Sequence, residues 1–313
     1  MPIITYSPAY TIVPTYECFN RCSYCNFRVD PGADSWMTLD RASQIITDLQ
    51  GQNICEILIL SGEVHPQSSR RQAWIDRIFD LCNLALEMGF LPHTNAGPLS
   101  FVEMEKLAGV NVSMGLMLES LDPALLQGVH RHAPSKLPAI RLEQINWAGE
   151  LKIPFTTGLL LGIGESETDR DNSLQAIAQI HDRWGHIQEV ILQPYSPGSQ
   201  ESLAGAGFDI TKLPELIRLA RQILPADITI QIPPNLILTP ALLLACLTAG
   251  ARDLGGIVPK DEVNPDYHHL QLPELTRLLA NQGWDLQPRL PVYSNYEYLL
   301  SPTLTDRLNK HRS

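Results

Sequence analysis

Short runs of β-branched and apolar residues alternate along the chain with longer stretches in which apolar residues recur every three to four positions. The short runs predict strands at 10–13, 56–60, 91–95, 111–117, 155–161, 189–192 and 229–232, with a weaker one at 253–257. The periodic stretches predict helices at 39–49, 74–88, 101–107, 138–151, 169–183, 212–224 and 240–249, and a last helix at 273–281 follows the final strand. Several helix ends carry their own signals. Ser100 and Ser166 each stand three residues before an acid, Glu103 and Asp169, which is the spacing of a capping box. Thr239 precedes Pro240, a cap followed by a residue suited to the first helical turn. Gly89 and Gly250 suit helix ends.

Strand–helix alternation repeated in this way implies a parallel sheet with helical crossovers. No composition shift or long linker divides the chain, so the pattern predicts one domain over 1–313. Its expected form is an α/β fold, a (β/α)8 TIM-type barrel with its core over about 5–258 and an irregular extension over 259–313. A doubly wound open sheet is the alternative, because periodicity neither counts strands nor shows closure. In a barrel the chemistry sits at the C-terminal ends of the strands and in the loops that follow. The candidate residues are therefore those near strand ends.

Composition narrows the function classes. The chain is 44% hydrophobic and carries a net charge of −11, from 34 acidic and 23 basic residues. No Lys/Arg run exceeds the pair Arg70-Arg71, which argues against nucleic acid as a partner. The first residues lack the basic start and apolar core of a signal peptide. Apolar runs such as 159–161 fall far short of the ~20 residues of a membrane helix. A cytoplasmic protein without membrane partners is expected.

Among six cysteines, Cys55, Cys82 and Cys246 are scattered in apolar surroundings and read as core residues. The other three, Cys18, Cys22 and Cys25, form a C-x3-C-x2-C cluster after the first strand, with Tyr24 just before the third. Without a signal peptide, such clustering reads as metal ligation rather than disulfides. Three thiolates from one loop can hold a cuboidal [4Fe–4S] cluster and leave its fourth iron open. Structural zinc is the alternative, but it wants a fourth protein ligand, and no nearby histidine or cysteine has suitable spacing. His130, His132, His268 and His269 are ligand types that read as surface or loop residues, so no second metal site is expected.

The C-x3-C-x-aromatic-C loop after a first barrel strand resembles the radical SAM superfamily. That resemblance implies that the open iron is chelated by S-adenosyl-L-methionine, and that the reduced cluster cleaves it to methionine and a 5′-deoxyadenosyl radical. Ser61-Gly62-Glu63, at the end of the second strand, is similar to the family's Gly-Gly-Glu motif, with serine in place of the first glycine. By resemblance its backbone and acid bind the methionine amino group; standing alone it would be an ordinary turn. In Leu118-Glu119-Ser120, Glu119 would contact the adenosyl ribose or the methionine amine, though an acid at a helix N-terminus reads the same way. Arg141 matches the arginine that pairs with the methionine carboxylate, or else is a solvated helix residue. Gly162, ending the fifth strand, resembles a glycine near adenine in biotin-synthase-like members; a tight turn would also use it. Tyr24 joins this implied cofactor-binding set.

Further strings in order along the chain are similar to one deazaflavin-forming subgroup: Pro14-Thr15-Tyr16-Glu17, His93-Thr94-Asn95-Ala96-Gly97, Ser113-Met114-Gly115-Leu116, Pro154-Phe155-Thr156-Thr157-Gly158 and Asp253-Leu254-Gly255-Gly256-Ile257. The resemblance implies a lyase that removes hydrogen from a hydroxybenzyl–ribitylaminouracil adduct, closes the middle ring and loses ammonia. It also implies a companion radical SAM subunit that makes the adduct, and an electron donor such as flavodoxin or ferredoxin. Asn95, Asn235 and Asp253 lie at predicted strand ends and are candidates for binding uracil or ribityl oxygens, or are simply turn residues. No general acid or base can be named. Two other functions remain open: another biotin-synthase-like radical enzyme of menaquinone or maturase type, and an iron–sulfur electron carrier. A carrier would need four cluster ligands and no glycine motifs at the strand ends.

Overall fold

The computed structural model describes residues 1–312 apart from 202, 204–206, 238, 260, 269 and 270. Its strands are β1 (Ile3–Ile12), β2 (Glu56–Leu60), β3 (Leu91–Asn95), β4 (Ser113–Gly115), β5 (Phe155–Leu161), β6 (Ile187–Pro194), β7 (Thr229–Gln231) and β8 (Asp253–Ile257). Between them run α1 (Leu39–Asp48), α2 (Arg71–Glu87), α3 (Phe101–Ala108), α4 (Pro138–Glu150), α5 (Glu167–Trp184), α6 (Leu213–Ile223) and α7 (Pro240–Ala249). Each strand pairs in parallel with its neighbours from β2 round to β8 and then β1, and β1 pairs back onto β2 through Ala9–Ile12 against Glu56–Ile59. That last pairing closes the barrel, so the open doubly wound sheet is excluded.

The helix ends follow their local chemistry. Ser100 with Glu103, and Ser166 with Asp169, form complete capping boxes. The Thr239 side chain accepts from Leu242 N ahead of α7, and Gly250 ends that helix at a φ of 129°. Strand β5 is buried along its whole length, as expected of a strand covered on both faces. On β6 the alternation of the strand sends Glu189, Ile191 and Gln193 toward the barrel axis. Glu189 bonds to Thr156 of β5, while Ile191 and Gln193 line a cavity at the mouth.

Two expectations need correction. Strand β1 begins at Ile3, seven residues earlier than the pattern at 10–13 suggests. Pro8 interrupts the run and removes a backbone donor, yet its carbonyl still accepts from Cys55 N at 3.0 Å, and a register shift between Thr5 and Ser7 absorbs the irregularity. The 259–313 extension is not irregular either. It holds α8 (Leu272–Ala280), which is the helix expected at 273–281, and beyond it a ninth strand β9 (Asp285–Pro288) and α9 (Pro302–Asn309), which the pattern does not predict. Strand β9 pairs in parallel with Ile3–Tyr6 of β1, and the segment after it closes the N-terminal end of the barrel. There the Pro291 carbonyl accepts from Ser113 Oγ at 2.8 Å and from Gln188 Nε2 at 3.0 Å. Among the described residues no helix is long and apolar enough to cross a membrane.

Candidate active site

The loop after β1 carries the cysteines and is fastened on two sides. Toward β2, Gly62 N donates to Thr15 O at 2.8 Å and Phe19 N to Glu63 O at 3.0 Å. Toward the segment after β4, Arg21 N donates to His132 O at 2.7 Å and Ser23 N to Val129 O at 3.0 Å. Gly62 is required at its position, because a Cβ there would overlap the Glu17 carbonyl. The Ser-Gly-Glu turn and the cysteine loop are thus packed backbone to backbone.

Cys18, Cys22 and Cys25 open onto one cavity of about 650 Å³ at the barrel mouth, which Tyr24, Ser61, Gly62, Glu63, Asn95, Glu119 and Arg141 also line. Ten of the thirteen residues singled out in the sequence are therefore brought together. Burial raises the Cys18 thiol and pushes the Cys22 thiol up to about 12, so ligand binding by these sulfurs has to release protons. Among the described residues no three His, Cys, Asp or Glu side chains are gathered closely enough to hold a single ion. A cuboidal cluster spreads its thiolates over separate irons.

Around the cavity, carboxylates and cations interleave. Glu63 accepts from Asn20 Nδ2 at 2.8 Å and Ser135 Oγ at 2.5 Å, and Arg141 Nη2 stands 3.8 Å away. Glu119 is bonded by Lys136 Nζ and the Tyr24 hydroxyl, with His130 Nε2 at 3.3 Å and Arg141 Nη1 at 3.8 Å. Burial works to raise the Glu119 pKa, but the Lys136 and Arg141 cations outweigh it and hold the carboxyl well below its usual range. Glu119 adopts a φ of 68°, a costly conformation for a residue with a Cβ. It is held there by its backbone, whose N–H donates to Gly158 O and whose carbonyl accepts from Leu160 N.

Arg141 is only 2% exposed, so it is not a solvated helix residue. One guanidinium nitrogen donates to Met117 O, while Nε is buried with no hydrogen-bond partner among the described residues. Gly97, with a φ of 79°, is also necessary: a Cβ on it would overlap the Glu63 carboxylate. His130, expected at the surface, is buried and bonds the Tyr24 hydroxyl at 2.9 Å. His132 and His268 are exposed, and His269 lies outside the described residues.

Three candidates are not brought to this cavity. The space beside Gly162 is filled by the Phe208 backbone, and its N–H donates to Glu165 Oε1 at 2.7 Å, so here it serves the packing of the loop after β6. Asn235 donates to Asp261 Oδ2 at 2.9 Å and to Tyr267 O at 3.3 Å, tying down the loop after β8. Asp253 is the first residue of β8 and belongs to the opposite end of the barrel, where Arg289 Nε meets it at 2.6 Å. A strand has two ends, and only its C-terminal one faces the mouth.

Sequence reasoning missed Asn20, Ser135, Lys136, Gly97 and His130. Asn20 stands inside the cysteine loop and Gly97 two residues past Asn95, where proximity to a motif was the available signal. Ser135 and Lys136 come from a three-residue 3-10 turn, Pro134–Lys136, between β4 and α4, too short to show a periodicity in the sequence.

A second compartment of about 1040 Å³, open mouth included, adjoins the first and shares Tyr24, Cys25, Asn95, Met117, Glu119 and Lys136 with it. Leu60, Met117, Leu160 and Ile191 supply its apolar surface, and Gln193, Ser196 and Asn264 its outer polar surface.

Residues 12–177 match the family model described as Radical SAM superfamily. The chain is 65% identical over 310 residues to a 7,8-didemethyl-8-hydroxy-5-deazariboflavin synthase from Trichormus variabilis, covering 99% of this chain and 91% of the relative. A relative of the same name from Gloeobacter violaceus is 57% identical, covering 99% and 96%. Among solved structures, the FeFe-hydrogenase maturase HydG from Carboxydothermus hydrogenoformans superposes with a TM-score of 0.77 at 18% identity, covering 99% of this chain and 77% of that one. Methylornithine synthase superposes at 0.69 and 15% identity, covering 95% and 86%. These two likenesses bear on the fold alone.

Proposed function

The chain belongs to the radical SAM superfamily and, within it, to the 7,8-didemethyl-8-hydroxy-5-deazariboflavin synthase family, and from that premise we propose that it performs the ring-closing, ammonia-releasing step of deazaflavin biosynthesis. The family implies a [4Fe–4S] cluster and S-adenosyl-L-methionine. The residues present fit both groups. Three thiols of one loop open on a common cavity, and the buried Arg141 Nε lacks a partner beside it.

When bound, the cluster and S-adenosyl-L-methionine supply one-electron cleavage to a 5′-deoxyadenosyl radical. Cys18, Cys22 and Cys25 are the cluster ligands in this reading. Glu63 and the backbone at Ser61-Gly62 take the methionine ammonium, where a charge-assisted hydrogen bond is stronger than a neutral one. Arg141 takes the carboxylate, and its loose 3.8 Å spacing from Glu63 and Glu119 leaves it free to do so. Glu119 and Tyr24 face the ribose side. Asn20 and Ser135 fix the Glu63 carboxylate, and Lys136 with His130 fixes Glu119.

The observation that carries the reading is the wall shared by the cysteine cavity and the apolar compartment. A substrate in the second lies against Tyr24 and Cys25, within reach of chemistry in the first and shielded from water. That substrate is a hydroxybenzyl–ribitylaminouracil adduct from a companion radical SAM subunit, with electrons from a flavodoxin or ferredoxin. The test is anaerobic reconstitution followed by mass spectrometry of products formed from the adduct. A deazaflavin product with one ammonia released per turnover supports the reading; unconverted adduct beside active cofactor cleavage defeats it.

A further inference from the structure

The outer compartment has one wall in common with the cysteine cavity and a remainder of its own. Tyr24, Cys25 and Met117 belong to the wall shared with the cysteine cavity. Gln193, at the far end of the inward-facing column of β6, lines the outer compartment alone. It is half-buried, and no other described residue hydrogen-bonds its carboxamide. Of the other amides lining this space, Asn26 donates to Asp266 Oδ2 at 3.0 Å and Asn264 to Asp261 Oδ2 at 3.3 Å, while Asn95 belongs to the wall shared with the cysteine cavity. A half-buried amide with no protein partner, facing a ligand-sized space, keeps its donor and acceptor available for a bound molecule.

We propose that the Gln193 carboxamide is a specificity-determining residue that reads the imide edge of the substrate's pyrimidinedione ring. A primary amide presents a donor and an acceptor side by side, and the neighbouring N–H and C=O of an imide are their complement in a two-point pair. The outer compartment's only ammonium among the described residues, Lys136, is already bonded to Glu119, so the space suits an uncharged heterocycle rather than a phosphorylated one. Its position also sorts the substrate. The reacting hydroxybenzyl unit belongs against the shared wall at Tyr24 and Met117, and the non-reacting ring belongs at Gln193. Binding energy from the remote part then positions the part that reacts. This assignment rests on the ring-closing reading.

The experiment measures steady-state kinetics of the reconstituted enzyme with the adduct and with its imide-N-methylated analogue. Gln193→Leu removes the pair, and Gln193→Glu keeps the size while removing the donor. With the adduct, both variants raise KM by about tenfold or more, the loss falling on KM rather than kcat. With the N-methylated analogue, wild type and variants converge, because the contact is already gone. A variant KM equal to that of wild type overturns the proposal, as does an equal penalty on both substrates. If a ribityl-truncated analogue abolishes the penalty instead, Gln193 reads the ribityl chain and the imide assignment falls. If wild type fails to turn over the adduct while cleaving the cofactor, the ring-closing reading falls and takes this assignment with it.

Discussion

At the closed end of the barrel Arg289 places Nε 2.6 Å from Asp253 Oδ2, and Nη2 at 2.9 Å from Asp253 Oδ1 and 2.8 Å from Glu189 Oε1. Tyr293 donates to the same Glu189 oxygen at 2.7 Å, and Thr5 to Asp253. At the open end Arg141, more deeply buried, stands 3.8 Å from each of its two carboxylates and keeps one nitrogen unpaired. Both regions use an arginine between two acids. The floor is saturated and pins the C-terminal segment to the barrel, so its contribution goes to the fold. The mouth is held open by surrounding backbone, glycines and hydrogen bonds to the carboxylates, so its unspent capacity remains for a ligand. Saturation of hydrogen bonds, rather than the presence of charge, separates a structural cluster from a binding one.

The largest effect that would break this contrast concerns the cysteines. Replacing any one of Cys18, Cys22 or Cys25 by alanine is expected to abolish the cluster, read as loss of the ~4 irons and ~4 sulfides per chain expected of the reconstituted wild type. Full loading in all three variants removes the mouth from consideration. Next, Arg289→Leu leaves Asp253 and Glu189 buried without their cation, which costs about 3–5 kcal/mol. Urea unfolding checks the value, and a loss under about 1 kcal/mol would mean that the floor is not structural. Glu63→Gln is expected to weaken S-adenosyl-L-methionine binding about tenfold while leaving iron content unchanged, since one charge-assisted bond is lost and no ligand to iron. Calorimetry on the reconstituted protein decides it.

A smaller effect is pH dependence. Burial raises the Glu189 pKa above the usual 4.5, with Arg289 opposing and Asp253 adding to the rise. Below that value the carboxyl is protonated in both folded and unfolded chains and contributes no slope. Above it the unfolded chain gives up the proton first, so stability falls with rising pH until folded Glu189 also ionises. Glu189→Gln is expected to flatten that decline in urea titrations run across the window, and an unchanged slope would assign the proton elsewhere.

The same contrast bears on what was legible in the sequence. The barrel could be read because strand and helix periods alternate, and the cysteines because three thiols so closely spaced in one loop suit metal ligation better than disulfides or core packing. Ser61-Gly62-Glu63, Glu119 and Arg141 gained meaning only from resemblance, since each alone is an ordinary turn or helix residue. Ser135, Lys136 and His130 reach the mouth from an aperiodic stretch, and no local signal marks them. Asp253 opens the strand expected at 253–257, so the rule that chemistry sits at C-terminal strand ends already assigns it to the opposite end of the barrel, where the structure has it. The tail read as irregular because β9 is four residues long and gains its order from pairing with Ile3–Tyr6 of β1, almost the full chain length away.

The most direct measurement of the central claim follows one atom. Reconstituted, reduced enzyme is incubated with S-adenosyl-L-methionine and an adduct deuterated on its hydroxybenzyl unit, and the 5′-deoxyadenosine is analysed by mass spectrometry. A mouth that seats this adduct against the shared wall predicts deuterium in 5′-deoxyadenosine together with growing deazaflavin fluorescence. Unlabelled 5′-deoxyadenosine without deazaflavin would contradict it.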